Sequence, residues 1–191
     1  MRKLLARAWL RLTGWGPEGE RPSAPRFVLI AAPHTSNWDL VYLLALAEVY
    51  DLHVSWMGKH TLFRPPFGAL FRALGGIAVK RDERGDRVAA MAKEFAQRER
   101  FALVVPSEAT RGWAPYWKSG FYHIARRANV PIVMGFLDYP RRRGGFGPAI
   151  FPSGDVGKDM DQIRSFYADK TGKYPELFGP VRLREEEDDE A

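Results

Sequence analysis

Short apolar runs alternate with longer amphipathic stretches along most of the chain. A continuous apolar run of about four to eight residues is typical of a strand buried on both faces, whereas a helix repeats its apolar positions every three or four residues. The pattern predicts strands over residues 27–32, 53–57, 77–79, 101–105, 131–137 and 146–151. It predicts helices over residues 38–50, 84–98, 120–128 and 159–170, with a further helical turn after Pro66.

The alternation of strands and helices predicts an α/β fold with a mostly parallel central sheet flanked by helices. The exception is expected near the C-terminus, where residues 140–145 form a turn between the last two predicted strands. This turn is too short for a parallel crossover, so that strand pair is predicted to be antiparallel. We assign residues 26–176 to the domain and the Pro- and Gly-rich residues 14–25 to a linker before it.

The pattern of residues 1–13 predicts a separate amphipathic helix. Its basic face consists of Lys3, Arg7 and Arg11, and its apolar face consists of Leu4, Leu5, Ala8, Trp9 and Leu12. Such a helix can lie in an anionic membrane interface or pack on its own domain, and the sequence leaves both open. Because charges interrupt its apolar residues, no signal peptide is predicted, and no apolar stretch reaches the length of a transmembrane helix.

The charge of the chain is unevenly distributed. It has 29 basic and 23 acidic residues among 191, a net charge of +6. Six of the acids lie at positions 185–190, and without them 17 remain against 29 basic residues, or about +12. Residues 184–191 are therefore predicted to form an acidic, disordered tail, and the basic body predicts an anionic partner: nucleic acid, a membrane surface or a phosphate-bearing substrate. The chain has no cysteine, which excludes disulfides, thiolate catalysis and cysteine-ligated metals.

The first loop with candidate catalytic residues follows the predicted strand 27–32, at the sheet edge where sites of such folds lie. It contains His34, and Asp39 follows in the first turn of the next helix. The Asp39 carboxylate can meet one imidazole nitrogen of His34 and leave the other to accept a proton from a substrate hydroxyl. Alternatively, Ser36 and Asp39 fit a helix capping box, and His34 is then an ordinary loop residue.

Two further segments carry candidate binding residues. In the loop 106–111, Glu108, Thr110 and Arg111 combine groups that can bind a polyol and a phosphate, although a solvated turn with an internal salt bridge is the alternative. The second segment alternates Phe63, Phe67 and Phe71 with basic residues, which are Lys59, His60, Arg64, Arg72, Lys80 and Arg81. Such a segment can form a surface that binds both phosphate and an acyl chain. The alternatives are a charged face in water and a nucleic-acid site. The four histidines show no metal-ligand spacing.

Taken in order, these motifs resemble those of the glycerol-phosphate and lysophospholipid acyltransferase family, typified by 1-acyl-sn-glycerol-3-phosphate acyltransferase. The matching segments are 34–39 (His-Thr-Ser-Asn-Trp-Asp), 67–81 (ending in Lys-Arg), 106–111 (Pro-Ser-Glu-Ala-Thr-Arg) and 130–133 (Val-Pro-Ile-Val). The resemblance covers about residues 27–173, and segments 117–122 and 152–155 are similar to a small bacterial branch of the family. Ser107 is an extra residue and Ala109 stands where the family usually has glycine, so we expect the backbone of this loop to differ.

The resemblance implies an enzyme that moves a fatty acyl group from a thioester to a hydroxyl of a lysophospholipid or glycerol-phosphate-type acceptor. His34 is then the general base and Asp39 its partner, and the substrate-binding residues are Lys59, Arg81, Glu108, Thr110 and Arg111. The co-substrate is acyl-CoA or acyl carrier protein, with no other cofactor and no metal. The implied location is peripheral, on the cytoplasmic side of the cell membrane, with lipids and no nucleic acid as partners. The alternative is a non-catalytic basic module that binds membrane or nucleic acid, in which His34 and Asp39 face a flat basic surface rather than an apolar groove.

Overall fold

The computed structural model describes residues 1–79 and 86–188. Within them the chain forms one seven-stranded sheet with helices on both faces. The strands are β1 Gly16–Glu18, β2 Arg26–Ala32, β3 Val54–Lys59, β4 Gly76–Val79, β5 Phe101–Val105, β6 Ile132–Asp138 and β7 Arg143–Ile150. The helices are α1 Arg2–Leu12, α2 Trp38–Val49, α3 Gly68–Ala73, α4 Asp86–Gln97, α5 Gly120–Ala128, α6 Val156–Tyr167 and α7 Glu185–Asp188, with 3-10 helices at His60–Phe63 and Pro175–Leu177.

The strand order across the sheet is β1-β7-β6-β2-β5-β3-β4. The five strands from β6 to β4 run parallel, and β7 pairs antiparallel with β6 across a short turn. This confirms the predicted α/β fold, with a mostly parallel sheet and one antiparallel pair near the C-terminus. The centre of the sheet is β2, where Leu29 lies opposite Val104 on one side and Val133 on the other.

Strand β2 is apolar from Phe27 to Ala32 because both of its faces are covered. Val28 and Ile30 pack into a core that includes side chains from α4, α5 and α6. Phe27 and Leu29 point to the opposite face and pack towards α2. Successive side chains of a strand alternate between the two faces, so a strand between two helical layers needs apolar residues at every position.

Helix α1 packs on α2 in the opposite direction, since Arg2 pairs with Glu48 at one end and Trp9 stacks on Trp38 at the other. Its buried residues are Ala6 and Leu10. Much of the predicted apolar face stays exposed, with Leu4 68%, Leu5 66% and Leu12 83% accessible. The helix therefore packs on its own domain and still presents an apolar face. Among the described residues, none of the helices has the length and hydrophobicity that a bilayer crossing requires.

Several local features differ from the prediction. The linker 14–25 contains the edge strand β1, which pairs parallel with β7; a three-residue strand rich in Gly and Pro has no apolar pattern to reveal it. Helix α6 begins at Val156 rather than at 159, because the Asp155 side chain accepts the N–H of Lys158 and caps it there. The predicted disordered tail is helical over Glu185–Asp188.

Two contacts order this part of the tail. Leu183, just before α7, is fully buried in the core, and Glu186 pairs with Arg164 of α6. An acidic run that meets a partly buried guanidinium can form a helix, whereas the sequence pattern alone shows only repelling charges. Positions 189–191 lie outside the described residues.

Candidate active site

The loop between β2 and α2 brings His34 and Asp39 together. His34 Nδ1 lies 3.1 Å from Asp39 Oδ2, and the same oxygen accepts the backbone N–H of Ser36 at 2.9 Å. The carboxylate oxygen beside Nδ1 favours the tautomer with its ring hydrogen on Nδ1, which leaves the lone pair of Nε2 free. The structure thus contains both the imidazole–carboxylate pair and the capping contact that the sequence offered as alternatives.

Glu108 also binds this loop, through the backbone of His34. Its two carboxylate oxygens accept the backbone N–H of His34 at 3.0 and 3.1 Å, and the residue is only 4% exposed. Burial raises the pKa of Glu108 from 4.5 to about 7, an effect that the His34 N–H opposes. We expected Glu108 to contact substrate, but its carboxylate is occupied by backbone and is not part of the cavity lining. Here it positions His34.

A cavity of about 740 Å³ opens beside His34, between the sheet and α2. Its buried walls are apolar and include Leu29, Leu46, Ala47, Trp56, Val104 and Phe146. His34 and Asp39 line it as well. Cavities of this size and polarity are typical of small-molecule sites. The pair therefore faces an apolar groove, as the catalytic interpretation required, and not a flat basic surface.

Exposed polar residues gather at the open end of the cavity. Lys59, Thr110 and Arg111 line it there, so three of the predicted substrate-binding residues line the same cavity as His34. Arg81, the remaining one, lies outside the described residues, as does Lys80.

Ala109 has a left-handed backbone, with φ +57°. This conformation favours glycine, because a Cβ atom crowds the neighbouring carbonyl there. Ala109, which replaces the glycine expected from the resemblance, therefore lies at a position where glycine would be less strained. Such strain is typical of loops that must hold functional groups in a fixed position.

Sequence reasoning missed Tyr139, which directly follows β6. Its hydroxyl donates to Asp39 Oδ1 at 2.6 Å. Burial, and then the hydrogen bond to Asp39, raise the pKa of the phenol, so the hydroxyl keeps its proton. Its place after a predicted strand, at the sheet edge where the loops gather, was the available signal.

Metal binding has no candidate group in the described part of the chain. Across residues 1–79 and 86–188, no three His, Asp or Glu side chains cluster closely enough to hold an ion.

The α/β sheet carries an imidazole–carboxylate pair on the wall of an apolar cavity, an arrangement suited to general-base chemistry beside an apolar substrate. The family model described as Acyltransferase matches residues 18–134, more than half of the chain. The chain therefore belongs to the acyltransferase family, which confirms the resemblance found in its motifs.

The structure is similar to the crystal structure of the 1-acyl-sn-glycerophosphate (LPA) acyltransferase PlsC from Thermotoga maritima. The TM-score is 0.58 and the sequence identity 14%, over 90% of this chain and 80% of that chain. At this identity the likeness shows the shared fold. No curated protein sequence matches the chain.

Proposed function

We propose that this acyltransferase moves a fatty acyl group from a thioester, acyl-CoA or acyl carrier protein, to a hydroxyl of a lysophospholipid or glycerol-phosphate-type acceptor. The observation that carries the proposal is the His34–Asp39 pair, 3.1 Å apart, on the wall of an apolar cavity. Family membership supports acyl transfer, and the fold shared with an acylglycerophosphate acyltransferase supports this class of acceptor.

The cavity suits the acyl chain of the donor. Its deep walls come from the sheet and α2, and residues such as Leu29 and Val104 there are almost inaccessible to water. Each methylene transferred from water to such a site contributes about 0.8 kcal/mol. A chain that enters from the open end leaves its thioester carbonyl beside His34, where the acceptor must arrive.

The acceptor is assigned to the open end. Lys59 and Arg111 are exposed cations that line the cavity there, and Thr110 lines it as well. A phosphate of the acceptor can take hydrogen bonds from the Arg111 guanidinium and charge from Lys59. Arg81 belongs to this proposal through the family resemblance alone.

The reaction then needs one base and no covalent enzyme intermediate. His34 Nε2 takes the proton of the acceptor hydroxyl while the oxygen of that hydroxyl attacks the thioester carbonyl carbon. The tetrahedral intermediate collapses, the C–S bond breaks, and the imidazolium returns the proton to the leaving sulfur. Asp39 stabilises the imidazolium, and Glu108 fixes the backbone from which His34 projects.

The test is product formation from purified protein with mixed acyl thioesters and lysolipids, followed by mass spectrometry. His34→Ala should lower turnover by about a hundred- to ten-thousand-fold, because the general base is lost. His53→Ala is the matched control: His53 is exposed and lies at the start of β3, at the opposite end of the strands, so turnover should not change. Wild-type turnover in His34→Ala would refute the mechanism.

The same assay tests the acceptor site. Arg111→Ala should raise KM for a phosphorylated acceptor more than KM for the thioester, because a guanidinium–phosphate contact is lost. An equal rise in both KM values argues against the assigned division between donor and acceptor.

A further inference from the structure

Asp39 is held by three hydrogen-bond donors from three directions. Its Oδ2 receives His34 Nδ1 at 3.1 Å and the N–H of Ser36 at 2.9 Å. Its Oδ1 receives the Tyr139 hydroxyl at 2.6 Å, a bond that joins residues 100 positions apart. Both carboxylate oxygens are thus occupied, which fixes the rotation of the group about its Cβ–Cγ bond.

Tyr139 itself is firmly placed. Its ring packs edge-on against the buried Trp15 at 4.9 Å between centroids and against Tyr42 at 6.1 Å. Its backbone N–H donates to the carbonyl of Thr171 at 3.0 Å. Trp15 also stacks on Tyr42 of α2, at 4.3 Å, so Tyr139 packs in one aromatic cluster with the helix that carries Asp39. The phenol is therefore built into the support of the pair.

We infer that Tyr139 is a positioning residue of the catalytic pair, whose hydroxyl holds Asp39 so that Oδ2 stays on His34 Nδ1. The inference rests on the proposed role of His34 as base. A carboxylate that loses the donor on Oδ1 can rotate towards other partners, and His34 then loses the contact that selects its tautomer. An O–H···O⁻ bond of this length is among the stronger hydrogen bonds in proteins.

The first test is a double-mutant cycle. Tyr139→Phe keeps the ring and should lower kcat about tenfold, with KM for both substrates unchanged, because only the alignment of the base is lost. In an Asp39→Asn background the same substitution should change kcat by less than twofold, since its effect passes through the carboxylate. Equal fractional losses in both backgrounds, or wild-type kcat in Tyr139→Phe, would overturn the inference.

Tyr122→Phe is the matched control. It also removes a phenol–carboxylate hydrogen bond, 2.9 Å from Tyr122 to the buried Asp159, on the opposite face of the sheet from α2. A general loss of packing or stability should affect both tyrosine variants, and thermal unfolding measures that directly. We expect kcat of Tyr122→Phe to stay within twofold of wild type.

A second readout needs no substrate. The chain has four histidines, so nitrogen NMR can resolve the imidazole of His34 by comparison with His34→Ala. We expect the wild-type ring to carry its hydrogen on Nδ1, and Tyr139→Phe to populate the Nε2–H tautomer measurably. An unchanged spectrum overturns the inference. If His34→Ala keeps full turnover, the proposed function fails, whereas this spectrum still tests what Tyr139 does to the pair.

Discussion

Two carboxyl groups support His34, and their surroundings differ. Asp39 has hydrogen-bond partners on both of its oxygens. Glu108 is buried with a single backbone N–H shared between its oxygens, and its pKa rises to about 7. The carboxyl group beside the imidazole thus has several partners, whereas burial of the second carboxyl group disfavours its charged form.

Glu108 should make stability depend on pH. Its pKa is raised on folding, so the folded state binds the proton more tightly than the unfolded state. The resulting stabilisation is complete below about pH 4.5 and is lost as the pH rises through about 7. Glu108→Gln cannot ionise. We therefore expect the free energy of unfolding of wild type to fall, relative to this variant, by at most about 3 kcal/mol between pH 4.5 and 8.

Urea denaturation at a series of pH values measures this difference. Glu99→Gln serves as the control, because Glu99 is exposed and should leave the pH dependence of wild type unchanged. Parallel curves for wild type and Glu108→Gln would contradict the assigned effect of burial.

The contact between His34 and Asp39 could be predicted from the sequence, whereas the contacts that Glu108 and Tyr139 make with them could not. His34 and Asp39 lie five residues apart in one loop, so local chain geometry suffices to bring them together. Glu108 binds a backbone N–H 74 positions away, and a backbone group has no sequence signature. Tyr139 reaches Asp39 only because β6 lies beside β2 in the sheet, an order that the apolar pattern does not specify.

Among the secondary-structure elements, α2 is apolar on nearly all sides because it is covered twice. Its inner face, with Ala47, packs towards the sheet and lines the cavity. Its outer face, with Ala45, packs against α1. The helix also carries Asp39 in its first turn. One element therefore contributes both to the wall of the cavity and to the His34–Asp39 pair.

The two alanines of α2 should respond differently to enlargement. Ala47→Leu places added methyl groups in the cavity, so the optimum of kcat/KM should move to shorter acyl thioesters with little change in stability. Ala45→Leu instead overpacks the contact with α1 and should cost about 1–3 kcal/mol of stability without moving the optimum. A chain-length series and thermal unfolding distinguish them. An unshifted optimum in Ala47→Leu argues that the acyl chain binds elsewhere.

The helices and strands with the strongest apolar pattern were those whose bounds the sequence predicted best. Strand β5 is buried at every position and helix α5 is strongly amphipathic, and both have the predicted bounds. Strand β1 depends on pairing with β7, and α7 depends on Arg164 and the burial of Leu183. Elements stabilised by such distant contacts leave no periodic signal in their own residues.

At the scale of the whole molecule, two exposed surfaces combine apolar and basic residues. Helix α1 exposes Leu4, Leu5 and Leu12 beside the basic residues Lys3, Arg7 and Arg11. The segment from β3 to α3 exposes Leu62, Phe67 and Leu70 among Lys59, Arg64 and Arg72. The first surface lies on the helix that covers α2, and the second adjoins the open end of the cavity.

We propose that these surfaces rest on an anionic membrane. Each Lys or Arg near such a surface contributes about 1 kcal/mol of attraction, and inserted leucines add the free energy of apolar burial. Binding should therefore be reversible and sensitive to salt, because exposed charges are screened. A location on the cytoplasmic side of the cell membrane fits this behaviour and is part of the proposal.

Substitution tests this proposal more sharply than deletion, because α1 also buries Ala6 and Leu10 in the domain. Replacing Leu4, Leu5 and Leu12 by Gln removes only the exposed face and should keep the fold. We expect wild type to sediment with anionic vesicles at low salt and to be released at high salt, and the triple variant to sediment much less. Its turnover of a short-chain, water-soluble substrate should stay near wild type.

Phe151→Gln is the matched control for vesicle binding. Phe151 is 66% exposed, but it follows β7, which runs antiparallel to β6 and ends at the sheet edge opposite His34. Loss of an exposed apolar group there should not change sedimentation. Nonspecific hydrophobic adhesion to vesicles would instead decrease in both Phe151→Gln and the triple variant. Equal losses in the two variants would argue against a defined membrane face. Unchanged binding of the triple variant would remove α1 from that face and leave the β3–α3 segment as the surface to test, while the acyltransferase chemistry at His34 would be unaffected.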